Sequence, residues 1–198
     1  TLTTIRDSAF FSCNSLTSIA LPEKTKTIED YAFFACDNLT ELSLFQTSGL
    51  DMIFDMSIVT KVTIGEGASF IAESAFEYCE ALTEVKLPST LTSIKAYAFY
   101  GCTALERLTL PEGLVSISEN VFENCTALCE INLPESLMLI SEYAFCSCEA
   151  LETLVLPDEI TSIGDGAFDG CENLVLKVKP ESTAAEYVLQ NDLLYELK

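Results

Sequence analysis

Leu82-Thr83-Glu84-Val85-Lys86-Leu87-Pro88-Ser89-Thr90-Leu91-Thr92-Ser93-Ile94-Lys95-Ala96-Tyr97-Ala98-Phe99-Tyr100-Gly101-Cys102-Thr103-Ala104-Leu105 is one copy of a unit that recurs along the chain. Its A/V-F-x-x-C core occurs seven times, at Phe10, Phe33, Phe76, Phe99, Phe122, Phe145 and Phe168, and the last five of these phenylalanines are each 23 residues apart. A fixed period of this length predicts a solenoid, in which each repeat packs on its neighbours. Val85 and Leu87 alternate with Glu84 and Lys86, which predicts a half-buried strand that Pro88 ends. Leu91 to Ile94 reads as a second short strand across the coil. Ala98, Phe99, Cys102 and Leu105 fall at a spacing that suits a short helical or 3₁₀ turn facing inward. Stacking such coils puts identical side chains about 4.8 Å apart, so Phe, Cys, Leu and Ile become internal columns.

The gap from Phe33 to Phe76 is 43 residues, or 23 plus 20. Val59-Thr60-Lys61-Val62-Thr63-Ile64 fits the strand pattern, and Met52-Ile53-Phe54-Asp55-Met56 stands where A-F-x-x-C is expected, with Met56 on the cysteine rung. The expectation is therefore about eight coils, one of them shortened and irregular over about 45–64. That shortening reads as a deletion in a turn or as a bend or local pocket near Phe45 and Phe54. The solenoid is expected over 1–180. Residues 181–198 are expected to form a C-terminal cap of the same domain, with a helix N-capped by Ser182 and a last strand near Tyr195. The chain opens on Leu2-Thr3-Thr4-Ile5, which matches Leu91 to Ile94, so it is expected to start mid-repeat.

Composition narrows function. The formal charge is −21, with 31 acids against 10 bases, which argues against nucleic acid, whose phosphates demand Lys and Arg. It also disfavours anionic membranes, and no apolar run reaches the ~18 residues of a membrane span. Between Arg107 and Lys177 there are 13 acids and no base. This reads first as a solvated surface and second as steering of a basic partner. With no histidine there is no Ser-His-Asp or Cys-His pair. A carboxylate pair could still cleave glycosides, but the acids scatter over the repeat faces. No enzymatic activity, cofactor or metal is expected.

Seven of nine cysteines (Cys13, Cys36, Cys79, Cys102, Cys125, Cys148 and Cys171) fall on one inward column. They read as small buried hydrophobes rather than a disulfide or zinc framework. Cys129 and Cys146 lie off the column and are the expected reactive thiols. An acidic column three residues before each Phe (Asp7, Asp30, Glu73, Glu119, Glu142 and Asp165, broken at Ala96) reads as capping of short helix starts. Single carboxylates per rung offer too few oxygens for calcium. The default binding face is the outward side of the first strand. One column there includes Glu41, Lys61, Glu84, Arg107, Glu130 and Thr153. The next includes Lys86, Thr109 and Asn132. Pairs such as Lys61 with Glu84, and Lys86 with Glu84 or Glu106, are expected across it. Phe70, Met138 and Leu139 are expected as small outward apolar spots on the second strand.

L-x-x-V-x-L-P together with A-F-x-x-C resembles leucine-rich repeats, specifically the BspA-like bacterial class. Leu82, Val85, Leu87, Ala98, Phe99 and Cys102 carry the match, which covers nearly the whole chain. The usual asparagine-ladder position holds Thr90 and Gly113, so a flatter solenoid with strands on both sides is expected rather than a strongly curved horseshoe. The resemblance implies an α/β leucine-rich-repeat solenoid that is extracellular or displayed at the cell surface and non-catalytic. It implies an adhesin-type module binding a protein, such as a host extracellular-matrix protein. The other reading is a structural spacer that displays another domain. Glycan recognition is weaker, because there is no Trp to stack on a sugar.

Overall fold

A computed structural model describes residues 2–198, with the side chains of Asp51 and Met52 outside the description. It is a stacked series of coils, each contributing a first strand to one face. These first strands are Ser18–Ala20, Glu41–Leu44, Lys61–Ile64, Glu84–Lys86, Arg107–Thr109, Glu130–Asn132, Thr153–Val155 and Val175–Val178. They make eight coils of about 23 residues. All pairings are parallel and in register: Glu41 lies beside Lys61, Lys61 beside Glu84, and Arg107 beside Glu130. The opposite face carries the second strands, and five of these form one continuous ladder: Phe70–Ile71, Ser93–Ile94, Ser116–Ile117, Leu139–Ile140 and Ser162–Ile163. Strands on both sides of the coil agree with the flatter architecture expected from Thr90 and Gly113. Thr90 itself bridges coils, donating to Ala68 O (2.8 Å) and accepting from Gly67 N–H (3.0 Å).

The third side of each regular coil departs from expectation. Where a short helical or 3₁₀ turn is predicted, the chain makes consecutive turns that do not propagate as a helix. Tyr97 N–H donates to Glu119 O (3.1 Å), Phe99 N–H to Val121 O (3.0 Å) and Gly101 N–H to Glu123 O (2.9 Å), all on the next coil. The intervening N–H groups of Ala98, Tyr100 and Cys102 donate three residues back within their own coil. Left-handed residues recur four apart, as at Tyr97 (φ 57°) and Gly101 (φ 71°), and stop helical propagation. The reason is satisfaction of the stack. A helix would turn every N–H into its own coil and leave the neighbour's carbonyls unpaired. The regular repeat is thus strand, strand and turn ribbon, and the helices of the solenoid lie in the shortened coil and at the C-terminal end.

The core is the column of apolar rungs. Phe99, Phe122 and Phe145 are fully buried, and each stacks on the next at 5.2–5.6 Å between centroids. Burial of such a side chain is worth about 1.5–3 kcal/mol, and the column repeats it coil after coil. The central ladder cysteines are buried beside this column, with Cys102, Cys125 and Cys148 Sγ donating to the carbonyls of Phe76, Phe99 and Phe122 at 3.1–3.2 Å. Cys13 is exposed and Cys171 half-buried, contrary to a uniformly buried ladder, because coils near the ends of the stack are covered on fewer sides.

The shortened coil carries the helix Leu50–Ile53 and a 3₁₀ turn Met56–Ile58. Phe33 stacks on Phe54 (5.1 Å, 9°), and Phe33 N–H donates to Ile53 O. Phe54 therefore takes the phenylalanine rung and Ile53 the alanine rung, one position later than the A-F-x-x-C alignment places them. Met52, aligned with the alanine, has its side chain outside the described residues. Met56 O accepts from Val59 N–H as Cys79 O accepts from Leu82 N–H, so Met56 holds the cysteine rung. Phe45 lies on Gly65, where an added Cβ would come within 2.2 Å of its Cε1, so this ring fills the space beside the deletion.

At the C-terminal end, Ser182 Oγ accepts from Ala185 N–H (3.2 Å) and caps the helix Thr183–Gln190. Tyr187 meets Phe168 edge-on at 6.2 Å, closing the aromatic column, and Val188 is fully buried. The strand Tyr195–Leu197 then pairs with Val175–Val178.

Candidate functional site

The outward side chains of the first strands form two neighbouring groups. In one, Lys61 Nζ lies between Glu41 (3.7 Å) and Glu84 (3.6 Å), while Lys86 Nζ contacts Glu84 at 3.0 Å. Lys86, and secondarily Lys61, holds the Glu84 carboxyl below the usual carboxylate range. Lys86 thus selects Glu84 of the two partners expected for it. In the other group, Arg107 Nε faces Glu130 at 3.5 Å, and Thr109 lies in register with Asn132. The ladder parts between Glu84–Lys86 and Arg107–Thr109, and again between Glu130–Asn132 and Thr153–Val155. At the second parting Arg107, Thr109, Glu130, Asn132, Thr153 and Val155 line an open depression of about 570 Å³. All nine expected face residues therefore lie on this side, but their charges are mostly matched within the chain. Asn132 is further committed: its amide donates to Leu110 O (3.1 Å) and accepts from Leu110 N–H (2.9 Å), acting as an extra ladder rung.

The opposite face holds a second, unexpected feature. Glu73, Lys95, Glu119, Ser141, Glu142 and Gly164 line a groove of about 740 Å³ that runs across five coils along the continuous second-strand ladder. Glu73, Glu119 and Glu142 belong to the acidic column. No helix starts at these residues, and all three line the groove. Phe70, Met138 and Leu139 are exposed as expected, and Leu139 lies at the groove's wall. The recurring acid was legible in the sequence, but its direction depended on the turn ribbon.

Among the described residues, no group of three His, Cys, Asp or Glu side chains is placed to hold a metal ion. No helix is long and apolar enough to cross a membrane. All nine cysteines are free thiols. Burial drives the Cys79 and Cys125 thiols up to about 12, and holds Cys102 and Cys148 well above their ordinary value. These groups are poor nucleophiles. Cys146 is half-buried and raised by the same cause, so of the two expected reactive thiols only Cys129 is exposed.

The model of the BspA type leucine rich repeat region matches residues 1–53 and 50–175, in six copies. The chain belongs to the BspA-type leucine-rich repeat family. Its fold is similar to that of a leucine-rich repeat protein from Bacteroides ovatus, with a TM-score of 0.65 at 23% identity over 98% of this chain and 55% of that one. It is also similar to the leucine-rich repeat protein of T. pallidum, with a TM-score of 0.64 at 23% identity over 92% of this chain and 86% of that one. The chain thus spans about half the length of the Bacteroides ovatus protein. Among curated proteins no relative matches the sequence. At these identities the likeness concerns the fold, and family membership by itself names no ligand.

Proposed function

We propose that this BspA-type solenoid is a non-catalytic, adhesin-type protein-binding module, secreted or displayed at a cell surface, that contacts a host or matrix protein through its first-strand face. The observation that carries the reading is the register of that face. Glu41, Lys61, Glu84 and Lys86 project from one parallel ladder, Arg107 and Glu130 from the next, and Thr153 from a third, and the three together present a mixed-charge surface. Parallel strands backed by a buried core hold such a surface rigid, which lowers the ordering cost of binding. Arg107 beside the depression is its best anchor, because Arg is enriched among residues that dominate interface energies. The test is saturable binding of the purified chain to immobilised fibronectin, fibrinogen and mucin at two salt concentrations. Binding that weakens with salt, and is lost on combined reversal of Lys61, Lys86 and Arg107 to Glu, supports the reading. Salt-independent binding that survives the reversal overturns it.

A second reading is a spacer that holds another domain away from the surface. It is favoured by the internal pairing of Lys61, Lys86 and Arg107 with Glu41, Glu84 and Glu130, which leaves little unmatched charge on the face. Capture of none of the three proteins supports it.

A further inference from the structure

The turn ribbon carries an aromatic cluster that neither strand face uses. Tyr78 is 57% exposed, and its ring meets Tyr100 edge-on at 5.2 Å and 83°. Tyr97 joins Tyr100 at 5.8 Å, and the Asn124 amide donates to the Tyr100 hydroxyl at 3.2 Å. Tyr78 and Tyr97 sit at left-handed backbone positions, with φ of 55° and 57°. The same positions on the next coil hold Gly101 and Asn120, residues that tolerate this conformation far better than a bulky aromatic does. Tyr78 is held in place from below. It leans over Gly101, where a Cβ would come within 2.9 Å of its Cδ1.

Charge around the cluster is mainly acidic, with Lys95 the one base in the cluster's own segment 95–105. The flanking turn segments 72–82 and 118–128 carry five acids and no base. The Tyr100 side chain, then burial and the nearby charges of Glu77 and Glu123, push the Tyr78 hydroxyl up, and the Asn120 amide holds Glu123. An exposed tyrosine ring attracts Lys and Arg over its face, and unmatched carboxylates beside it raise the local concentration of cationic groups. Within this packing Tyr78 keeps more than half of its surface exposed.

We propose that the Tyr78–Tyr97–Tyr100 cluster, rimmed by Glu77 and Glu123, docks a basic protein segment whose Arg or Lys side chains seat on the tyrosine rings. The proposal rests on the reading of this chain as a protein-binding module, but places a contact on a different face.

The test uses the full chain and a blocked peptide of four arginines spaced by glycines, followed by calorimetry at low and physiological salt. The wild-type chain is expected to bind saturably. Tyr78→Ala is expected to weaken binding about fivefold, the size of one exposed cation–π contact, while Tyr78→Phe keeps the ring and the affinity. Glu77→Gln combined with Glu123→Gln is expected to weaken binding further and to flatten its salt dependence. Circular dichroism confirms that each variant is folded, which the exposure of Tyr78 favours. Absence of peptide binding overturns the proposal. So does binding that Tyr78→Ala leaves unchanged, since the attraction is then only that of a chain with charge −21. If the chain captures no matrix protein yet binds the peptide in a Tyr78-dependent way, the strand-face reading fails and this one stands.

Discussion

Thr47 Oγ1 accepts a 2.7 Å hydrogen bond from the backbone N–H of Ala72, and both residues are buried. In regular coils the equivalent N–H groups, those of Lys95, Ser118 and Ser141, donate to the carbonyls of Ile71, Ile94 and Ile117 one coil earlier. The shortened coil has no second strand among the described residues, so a threonine hydroxyl supplies the missing acceptor and starts the five-stranded ladder.

Thr47→Val is therefore expected to destabilise the chain by about 1–3 kcal/mol, because it strands a buried N–H with no partner. Thr47→Ser keeps the acceptor and loses only a methyl group. Urea denaturation of the three proteins checks this; equal midpoints for Val and Ser would remove the hydrogen bond from the account.

Two glycines separate by what lies next to them. At Gly164 an added Cβ would fall 2.3 Å from Glu142 N and 2.6 Å from Ser141 C, both backbone atoms that cannot swing away. At Gly113 the nearest atom is 3.5 Å off, an ordinary contact. Gly164→Ala is expected to cost about 1–3 kcal/mol or more through overpacking. Gly113→Ala is expected to be neutral or to stabilise by about 0.4–1 kcal/mol through a less free unfolded chain. Thermal melts of both variants measure the contrast.

The strands were legible because Val85 and Leu87 alternate with charged neighbours and Pro88 closes the run, a pattern whose period has one structural meaning. The turn ribbon was not, because Ala98, Phe99, Cys102 and Leu105 point inward equally well from a helix or from consecutive turns. A signal for turns was present in Asn120 and Gly166, which hold equivalent positions and tolerate left-handed backbone better than most residues. Tyr31, Tyr97 and Tyr143 occupy that same position and hide it. Phe54 was misplaced by one rung because the shortened coil drops a residue between its Phe and its cysteine-equivalent Met56. The outward face was legible residue by residue. Its internal charge matching, and the commitment of Asn132 to Leu110, depend on side-chain reach and on where the ladder parts.

Thiol accessibility should split the nine cysteines. Cys13 and Cys129 are exposed, whereas Cys79, Cys102, Cys125 and Cys148 are buried with their thiols pushed up by desolvation. At mildly alkaline pH, a chromogenic disulfide reagent is expected to modify Cys13 and Cys129 quickly and Cys146 more slowly. The four fully buried ladder thiols are expected to react at the rate of unfolding. Cys129→Ser should remove one fast equivalent without altering the slow phase; rapid labelling of Cys102 or Cys125 would contradict the buried column.

Acid should loosen the C-terminal end through Asp158. Its carboxylate meets Lys198 Nζ at 2.8 Å and Lys179 Nζ at 3.5 Å, and Lys198 Nζ also donates to Leu156 O. The hydrogen bond and charge of Lys198, with a smaller contribution from Lys179, hold the Asp158 pKa below its ordinary value. A carboxyl depressed on folding binds protons less readily in the native state than in the unfolded one. Its contribution is thus present above the unfolded value of about 3.9 and is lost as pH falls through the folded value. Lys198 N–H, which donates to Val178 O at 3.0 Å, reports on the same end of the sheet. Hydrogen exchange across Tyr195–Leu197 is expected to accelerate, relative to the intrinsic rate, as pH drops below about 4. Asp158→Asn should show the faster exchange at neutral pH and lose the acid dependence. Protection of this strand that is the same in both proteins at every pH would show that Asp158 does not hold it.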